Sequence, residues 1–147
     1  MKRTNLADSK DAKLVDGLAQ ALRQRGPLAG LKPDAAASLI RLSELIELEP
    51  NEALIREDEV AVPEIYVLVD GTLVVQSKGA TVARLNCPGD VVGEVAVLLS
   101  SRRTADVIAD SAVRAMAIPA KVLAMPEYAD AASGVSGAMI RDDWIEY

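Results

Sequence analysis

The sequence predicts a mainly β fold with flanking helices, in the form of an antiparallel β-roll of the jelly-roll type. Short apolar runs follow one another after Pro50, and turn signals separate most of them. Before Pro50 the apolar residues instead recur at helical spacing. We therefore expect a helical segment at residues 1–48, the β-roll at 49–118 and a second helical segment at 119–147.

Two N-terminal helices follow from the spacing of apolar side chains. The first is predicted over residues 12–25 and ends at the Gly26-Pro27 step. Its apolar stripe consists of leucines four residues apart: Leu14, Leu18 and Leu22. The second begins at Pro33, because proline suits the first helical position, and stops before Pro50. Its buried face would carry Leu39, Leu42 and Ile46.

Six strands are predicted after these helices. They cover residues 65–69, 72–75, 81–85, 91–92, 105–109 and 112–118. Asp70-Gly71 separates the first two strands and is a strong hairpin signal, because both central positions of that turn favour positive φ. Lys78-Gly79 and Pro88-Gly89 are predicted to form the next two turns.

The charge balance argues against nucleic acid and membranes as partners. The chain carries a net charge of -6, so most of its surface would repel nucleic-acid phosphates and anionic lipid. No apolar stretch approaches the roughly 20 residues of a membrane-spanning helix. Cys87 is the only cysteine, and the first residues lack the apolar core of a secretory leader. The expected location is the cytoplasm.

The composition also argues against catalysis. The chain contains no histidine, which removes histidine-activated nucleophiles and histidine-ligated metal sites. One cysteine does not make a thiolate zinc site, and no compact pair of carboxylates stands in apolar surroundings. We therefore predict no enzymatic activity, no metal and no cofactor.

The segment GEVAVLLSSRRTADV, residues 93–107, interrupts the strand pattern and indicates an anion site. Residues 94–99 are predicted to form one or two helical turns, whose first N–H groups favour negative charge. Gly93 lets a ligand approach the backbone, and Arg103 would donate a charge-assisted hydrogen bond to one phosphate. Glu94 would repel that phosphate unless it accepted hydrogen bonds from ligand hydroxyls. A nucleotide satisfies both requirements.

Each of these residues also has a purely structural interpretation. Glu94 suits a helix N-terminus because of the helix dipole, and Arg103 could be a solvated loop charge beside the acidic surface. Tyr66 suits the core, and Gly71 suits a turn whatever the function. Only the joint spacing of glycine, glutamate, arginine and threonine favours a binding site.

Roughly residues 30 to 120 resemble the cyclic nucleotide-binding domains of catabolite activators, cyclic-nucleotide-dependent kinases and cyclic-nucleotide-regulated channels. The matching positions are Pro50 with Glu52, Tyr66 with Gly71, Gly89-Asp90, Gly93-Glu94 and Arg103-Thr104-Ala105. That family's phosphate-binding cassette opens with glycine-glutamate, continues as a short helix and has an arginine nine residues after the glutamate. Glu94 and Arg103 keep this separation, and Arg102-Arg103-Thr104-Ala105 looks most like the channel branch.

The resemblance assigns a role to each residue of a cassette at 93–106. It implies that Glu94 takes the ribose 2′-hydroxyl, that Arg103 takes the cyclic phosphate and that Thr104 adds a further contact. Backbone groups at the helix start would come from Gly93, Val95 and Ala96, and Ala105 completes the motif. The implied ligand is cAMP or cGMP, and Thr104 leaves room for a guanine amino group.

The chain departs from the family pattern at four positions. Val92 replaces the usual aromatic residue before the cassette glycine, and Asn51 and Asp58 replace two turn glycines. Asp106 stands where threonine, serine or asparagine is common. A carboxylate that faced the phosphate would weaken binding, whereas strand alternation could direct it elsewhere.

The C-terminal segment, residues 119–147, is predicted to be a helical lid over the base. A helix should start near Pro119, and Pro126 should break it. The apolar residues available to cover a purine are Met139, Ile140 and Trp144. With two basic residues against five acidic ones, this segment does not resemble a DNA-reading module.

These observations predict a free-standing cyclic nucleotide sensor, a regulatory domain that signals to an effector protein by moving its terminal helices. A homodimer is a further expectation. The alternative is a domain that keeps the fold without the ligand and acts as a protein-interaction module. Its main support is Asp106 and the missing aromatic residue.

Overall fold

The computed structural model describes residues 1–7, 9–24, 28–57, 64–92 and 105–128. Nine strands lie in this part of the chain: β1 (Lys2–Asn5), β2 (Glu44–Leu48), β3 (Ala53–Ile55), β4 (Glu64–Asp70), β5 (Leu73–Ser77), β6 (Ala80–Leu85), β7 (Val91–Val92), β8 (Asp106–Ala109) and β9 (Val113–Pro119). The described helices are α1 (Ala12–Leu22), α2 (Pro33–Arg41), α3 (Ala120–Leu123) and a 3-10 turn at Pro126–Tyr128.

The strands form two antiparallel sheets. A five-stranded sheet has the order β1-β2-β9-β4-β7, and a four-stranded sheet has the order β3-β8-β5-β6. Every pairing in both sheets is antiparallel. The predicted class, mainly antiparallel β with flanking helices, is therefore confirmed.

The five-stranded sheet separates two hydrophobic cores. Successive residues of β4 alternate between them, since Ile65 and Val67 face the helices whereas Tyr66 and Leu68 face the other sheet. The helix-side core includes Leu18, Leu22, Leu39, Ile65, Val67, Val69, Met116, Ile118 and Tyr128. The inter-sheet core includes Ile46, Tyr66, Leu68, Leu73, Val75, Val92, Ala105, Val107, Ala115 and Ala117. Because both faces are covered, β4 is buried from Glu64 to Val69.

The first helix begins as its sequence indicates and ends early. Asp11 caps it by accepting a hydrogen bond from Leu14 N at 3.0 Å. Leu18 and Leu22 are buried in the helix-side core. The helix ends at Leu22, before the predicted residue 25, and Arg23 Nε donates to Leu31 O at 2.7 Å. This bond ties the end of α1 to the start of the α2 region.

The predicted C-terminal part of the second helix is wrong. The helix begins at Pro33, but it ends at Arg41, and Glu44–Leu48 forms strand β2. Ser43 Oγ donates to Leu39 O at 2.8 Å and satisfies a carbonyl of the last turn. Leu42 is 43% exposed, whereas Ile46 is buried between the sheets. Residues 44–48 therefore form a strand that pairs with β1 and β9, although the helical spacing of apolar residues continues past the end of the helix.

The predicted helical segment at 1–48 thus also contributes β1 and β2 to the sheet. Neither β1 nor β3 was predicted, because each is too short to show a clear alternation of apolar and polar residues. The six predicted strands correspond to β4 through β9 and lie within one or two residues of their predicted positions.

The predicted hairpin at Asp70-Gly71 is also wrong. Strand β4 belongs to the five-stranded sheet and β5 to the four-stranded one, so this turn carries the chain from one sheet to the other. Gly71 has a φ of +92°, and a Cβ there would lie 2.3 Å from Ala112 O. This position therefore requires glycine, but the turn that it forms is a connection between the two sheets and not a hairpin. The two-residue hairpin lies instead at Lys78-Gly79, where both φ values are positive and β5 pairs with β6.

Candidate functional site

The predicted phosphate-binding segment joins the two sheets. It leaves β7, at the edge of the five-stranded sheet, and reaches β8, which lies between β3 and β5 in the four-stranded sheet. Of the predicted ligand-binding residues, Ala105 is described. The other predicted contacts lie outside the described residues: Gly93, Glu94, Val95, Ala96, Arg103 and Thr104, together with Met139, Ile140 and Trp144 of the lid. The candidate site is therefore defined by the elements that hold the two ends of the segment.

Both ends of the segment are anchored in the inter-sheet core. Val92 and Ala105 are each 1% exposed and belong to the same buried cluster. Val92 pairs with Tyr66 across the β4–β7 ladder. Since buried apolar side chains resist displacement, the chain enters and leaves this segment at fixed positions.

The turn before β7 is docked on β4 by the backbone. Gly89 N donates to Leu68 O and Leu68 N donates to Asp90 O, each at 2.8 Å. These bonds confirm the predicted Pro88-Gly89 turn and set the register of the residues that follow. Val91 and Val92 then pair with Val67 and Tyr66.

Asp106 bonds to the backbone next to β3. Its Oδ1 accepts a hydrogen bond from Glu57 N at 2.7 Å. Asp106 lies on the half-buried side of β8, whereas Ala105 and Val107 point into the inter-sheet core. This carboxylate therefore helps to join the loop after β3 to β8.

Asn51 adopts the conformation that its place in the pattern requires. Its φ is +73°, a value that asparagine tolerates better than most residues other than glycine. Its N–H donates to Ala109 O at 2.7 Å, and Ala109 N donates to Glu52 O at 2.8 Å. Asp58, the second predicted substitution of this kind, lies outside the described residues.

A partly buried polar chain beside the inter-sheet core was not predicted. Arg3 on β1 donates to both carboxylate oxygens of Glu64, at 2.5 and 3.3 Å. The Tyr66 hydroxyl donates to Glu64 Oε1 at 2.9 Å. Arg3 also lies 3.5 Å from Glu44. The hydrogen bond to Glu64 is the main cause that raises the pKa of Arg3 above its usual value, so this guanidinium stays charged.

The sequence carried one signal for this polar chain. Glu64 and Tyr66 stand two residues apart at the start of an apolar strand, so both side chains occupy one face. The partner, Arg3, is 61 residues away from Glu64 along the chain. No local pattern relates these two residues, and the strand that carries Arg3 was not predicted.

One cavity lined by described residues does not include the two residues that hold the ends of the predicted segment. Its volume is about 700 Å³, and its lining includes Glu47, Glu49, Asp70 and Arg114 but neither Val92 nor Ala105. Arg114 Nε and Nη2 donate to Asp70 Oδ2 at 2.8 and 2.5 Å, and this bond raises the pKa of Arg114. The charges of Arg114 and Asp70 in this lining are thus paired with each other.

Metal ligands do not cluster in the described part of the chain. No group of three or more His, Cys, Asp or Glu side chains among these residues could hold a metal ion. Likewise, none of the helices within the described ranges is long and apolar enough to cross a membrane.

Comparison with protein families identifies the fold. The family model described as the cyclic nucleotide-binding domain matches residues 45–125, more than half of the chain. The chain belongs to the cyclic nucleotide-binding domain family. The match runs from β2 through β9 and includes the whole predicted cassette. A comparison with curated protein sequences gave no significant match.

Solved structures show the same fold at low sequence identity. The regulatory subunit of a cAMP-independent protein kinase A from Trypanosoma brucei is 22% identical, with a TM-score of 0.75 over 88% of this chain and 47% of that chain. The regulatory domain of Toxoplasma gondii PKA, crystallised with cAMP, is 23% identical, with a TM-score of 0.72 over 90% and 50%. This chain therefore spans about half the length of these two chains.

A bacterial structure matches over most of its own length. It is the N-terminal domain of a transcriptional regulator from Streptomyces coelicolor A3(2), with 20% identity and a TM-score of 0.69. The match covers 82% of this chain and 92% of that chain. At these identities the three structures establish the cyclic nucleotide-binding fold.

Proposed function

We propose that this chain is a regulatory domain that binds a cyclic nucleotide and passes the signal to an effector protein. The observation that carries the proposal is the cassette spacing, with Glu94 following Gly93 and preceding Arg103 by nine residues. The family match includes this segment, and both of its ends are anchored in the inter-sheet core. The family relationship supports a regulatory role and not a catalytic one.

The proposed ligand chemistry follows from those residue types. Arg103 would donate to the cyclic phosphate together with backbone N–H groups at residues 93–96. Glu94 would accept from the ribose 2′-hydroxyl. The contact between Asp106 and Glu57 N supports the view that Asp106 serves the β-roll, so its charge would not stand directly against the ligand phosphate.

A second candidate function is a protein-interaction module without a nucleotide. One observation favours it, since the Trypanosoma brucei structure, which shares this fold, belongs to a cAMP-independent kinase. The fold alone therefore does not decide which ligand a domain binds. The glutamate, arginine and threonine of the cassette support nucleotide binding in this chain.

Output from the domain would depend on its terminal segments. We infer that residues 119–147 change their packing when the ligand binds, with Met139, Ile140 and Trp144 covering the base. Neither nucleic acid nor a membrane is an expected partner, because the net charge is -6. A homodimer and a cytoplasmic location remain predictions.

Isothermal titration of the purified chain with cAMP and with cGMP tests the proposal. We expect micromolar or tighter binding of at least one of them, and 5′-AMP serves as a control that lacks the cyclic phosphate. Absence of heat and of any thermal stabilisation with both cyclic nucleotides would contradict the proposed function. It would favour the interaction module.

A further inference from the structure

The polar chain of Arg3, Glu64 and Tyr66 joins distant strands of one sheet. Glu64 and Tyr66 lie on β4, the fourth strand in the sheet order, whereas Arg3 lies on the edge strand β1. Two strands, β2 and β9, separate β1 from β4 in that order. The ion pair therefore connects two strands that no backbone ladder connects.

Stability alone is a poor explanation for this arrangement. The Glu64 side chain is only 9% exposed, and removing a carboxylate from water costs free energy that its partners must offset. Replacing a buried ion pair by apolar residues of similar volume is often neutral or stabilising. The better-attested role of a buried ion pair is to select one arrangement of the elements that carry it.

The arrangement selected here includes the start of the predicted cassette. Tyr66 pairs directly with Val92, the residue before Gly93, and both side chains belong to the inter-sheet core with Ala105. The Tyr66 hydroxyl is held by Glu64, and Glu64 is held by Arg3. A displacement of β1 would therefore be transmitted to Val92 through a continuous series of hydrogen bonds and packed side chains.

We propose that the Arg3–Glu64–Tyr66 chain positions the first residues of the cyclic-nucleotide site and couples ligand affinity to the seating of strand β1. Arg3 and Tyr66 act as positioning residues, and neither is assigned a ligand contact. The ligand part of this inference rests on the proposed function. Because coupling between two sites is reciprocal, a bound nucleotide must also stabilise β1.

The first experiment compares variants of the ligand-free full-length chain by amide hydrogen exchange. Arg3→Gln removes the guanidinium, whereas Lys2→Gln removes a charge from the neighbouring position on the same strand and serves as the matched control. We expect exchange at residues 91–92 and 105 to be several-fold faster in Arg3→Gln than in Lys2→Gln. Equal exchange at these residues in the two variants would overturn the positioning role.

The second experiment adds cAMP at saturation. In the wild type, exchange of the β1 amides should slow by about fivefold or more, and this protection should disappear in Tyr66→Phe, which keeps the ring and loses only the hydroxyl. Arg3→Lys, which keeps the positive charge, should retain part of the protection. Ligand-independent exchange of β1 in the wild type would contradict the coupling.

A double variant separates coupling from stability. Arg3→Met/Glu64→Leu removes both charges of the pair, so its melting temperature should recover relative to Arg3→Gln while the protection of β1 by cAMP stays absent. Recovery of both would show that the pair acts through stability alone and would overturn the proposal. If the wild type binds neither cyclic nucleotide, the proposed function fails, and the ligand-free comparison still decides the positioning role.

Discussion

Arg103 and Glu94 are expected to recognise different parts of the ligand, although they belong to one motif. A guanidinium matches a phosphate through charge-assisted hydrogen bonds, whereas a carboxylate accepts from a neutral hydroxyl. At the residue scale, variants of these two positions should therefore give different losses with different ligand analogues. The predictions for Arg103 and Glu94 both rest on the spacing of the cassette residues in the sequence and not on the fold.

Arg103→Ala should weaken cyclic-nucleotide binding about tenfold to a hundredfold, because a charge-assisted bond contributes about 1.5–3 kcal/mol. Arg102→Ala is the matched control. It removes the same charge from the adjacent position, which would face the opposite side of a strand, and it should change the affinity little. Calorimetric titration measures both. An unchanged affinity in Arg103→Ala would contradict the phosphate role.

Glu94→Gln should weaken binding of the ribonucleotide and leave binding of its 2′-deoxy analogue nearly unchanged. The analogue already lacks the hydroxyl that Glu94 is proposed to bind, so it has no contact to lose. The two ligands are titrated against both proteins. Equal losses would indicate that Glu94 stabilises the helix start and not the ribose.

At the element scale, the sequence predicted the strands more accurately than their partners. Six strands were placed from alternation and turn signals, yet the Asp70-Gly71 dipeptide was interpreted as a hairpin although β4 and β5 lie in different sheets. Positive φ is a local property that the residue types indicate. The pairing of the strands depends on how side chains pack in the two cores. Local sequence patterns do not show this packing.

The same reason explains the error at β2. A helical spacing from Leu39 continues to Ile46, but Ile46 is buried between the sheets through its pairing with Ala115. The cassette could be recognised from the sequence because its residues lie close together along the chain. Glu64 and Arg3 were not recognised as partners because their contact joins strands that are distant in sequence.

Gly71→Ala should lower the free energy of unfolding by at least about 2 kcal/mol, because an L-residue is strained at positive φ and its Cβ would collide with Ala112 O. Gly17→Ala provides the control. Gly17 lies within α1, and apart from its chain neighbours and the backbone of its own helix no atom lies within 4 Å of the place that an alanine methyl group would take. Alanine there should raise stability by about 0.5–1 kcal/mol. Denaturant unfolding measures both. Equal effects would contradict the assigned turn conformation.

At the scale of the whole molecule, the five-stranded sheet is shared by two cores, and the C-terminal segment begins inside one of them. Tyr128 is fully buried in the helix-side core, and its hydroxyl donates to Ser38 Oγ on α2 at 2.9 Å. The sequence predicts that a movable segment starts at Pro126. The structure instead shows that the chain is anchored as far as Tyr128, so residues 129–147 are the part to remove in a test.

A chain truncated after Tyr128 should keep its fold and bind cyclic nucleotide more weakly than the full-length chain. The β-roll is proposed to provide phosphate and ribose contacts, but a purine base left in water would keep its apolar faces hydrated. Residues 129–147 contain Met139, Ile140 and Trp144 to cover it. Contacts made only in the covered arrangement would supply the differential affinity that a switch requires.

Calorimetry compares the affinities of these two chains, and circular dichroism checks that the truncated chain is folded. Trp144 is the only tryptophan, so its fluorescence in the full-length chain should shift on saturation with ligand. Truncation after Pro126 is the matched comparison, since it also removes Tyr128 and should lower the melting temperature. If the chain ending at Tyr128 binds as tightly as the full-length chain, the proposal that residues 129–147 cover the base is wrong. The segment would then contact the effector or a second copy of the chain.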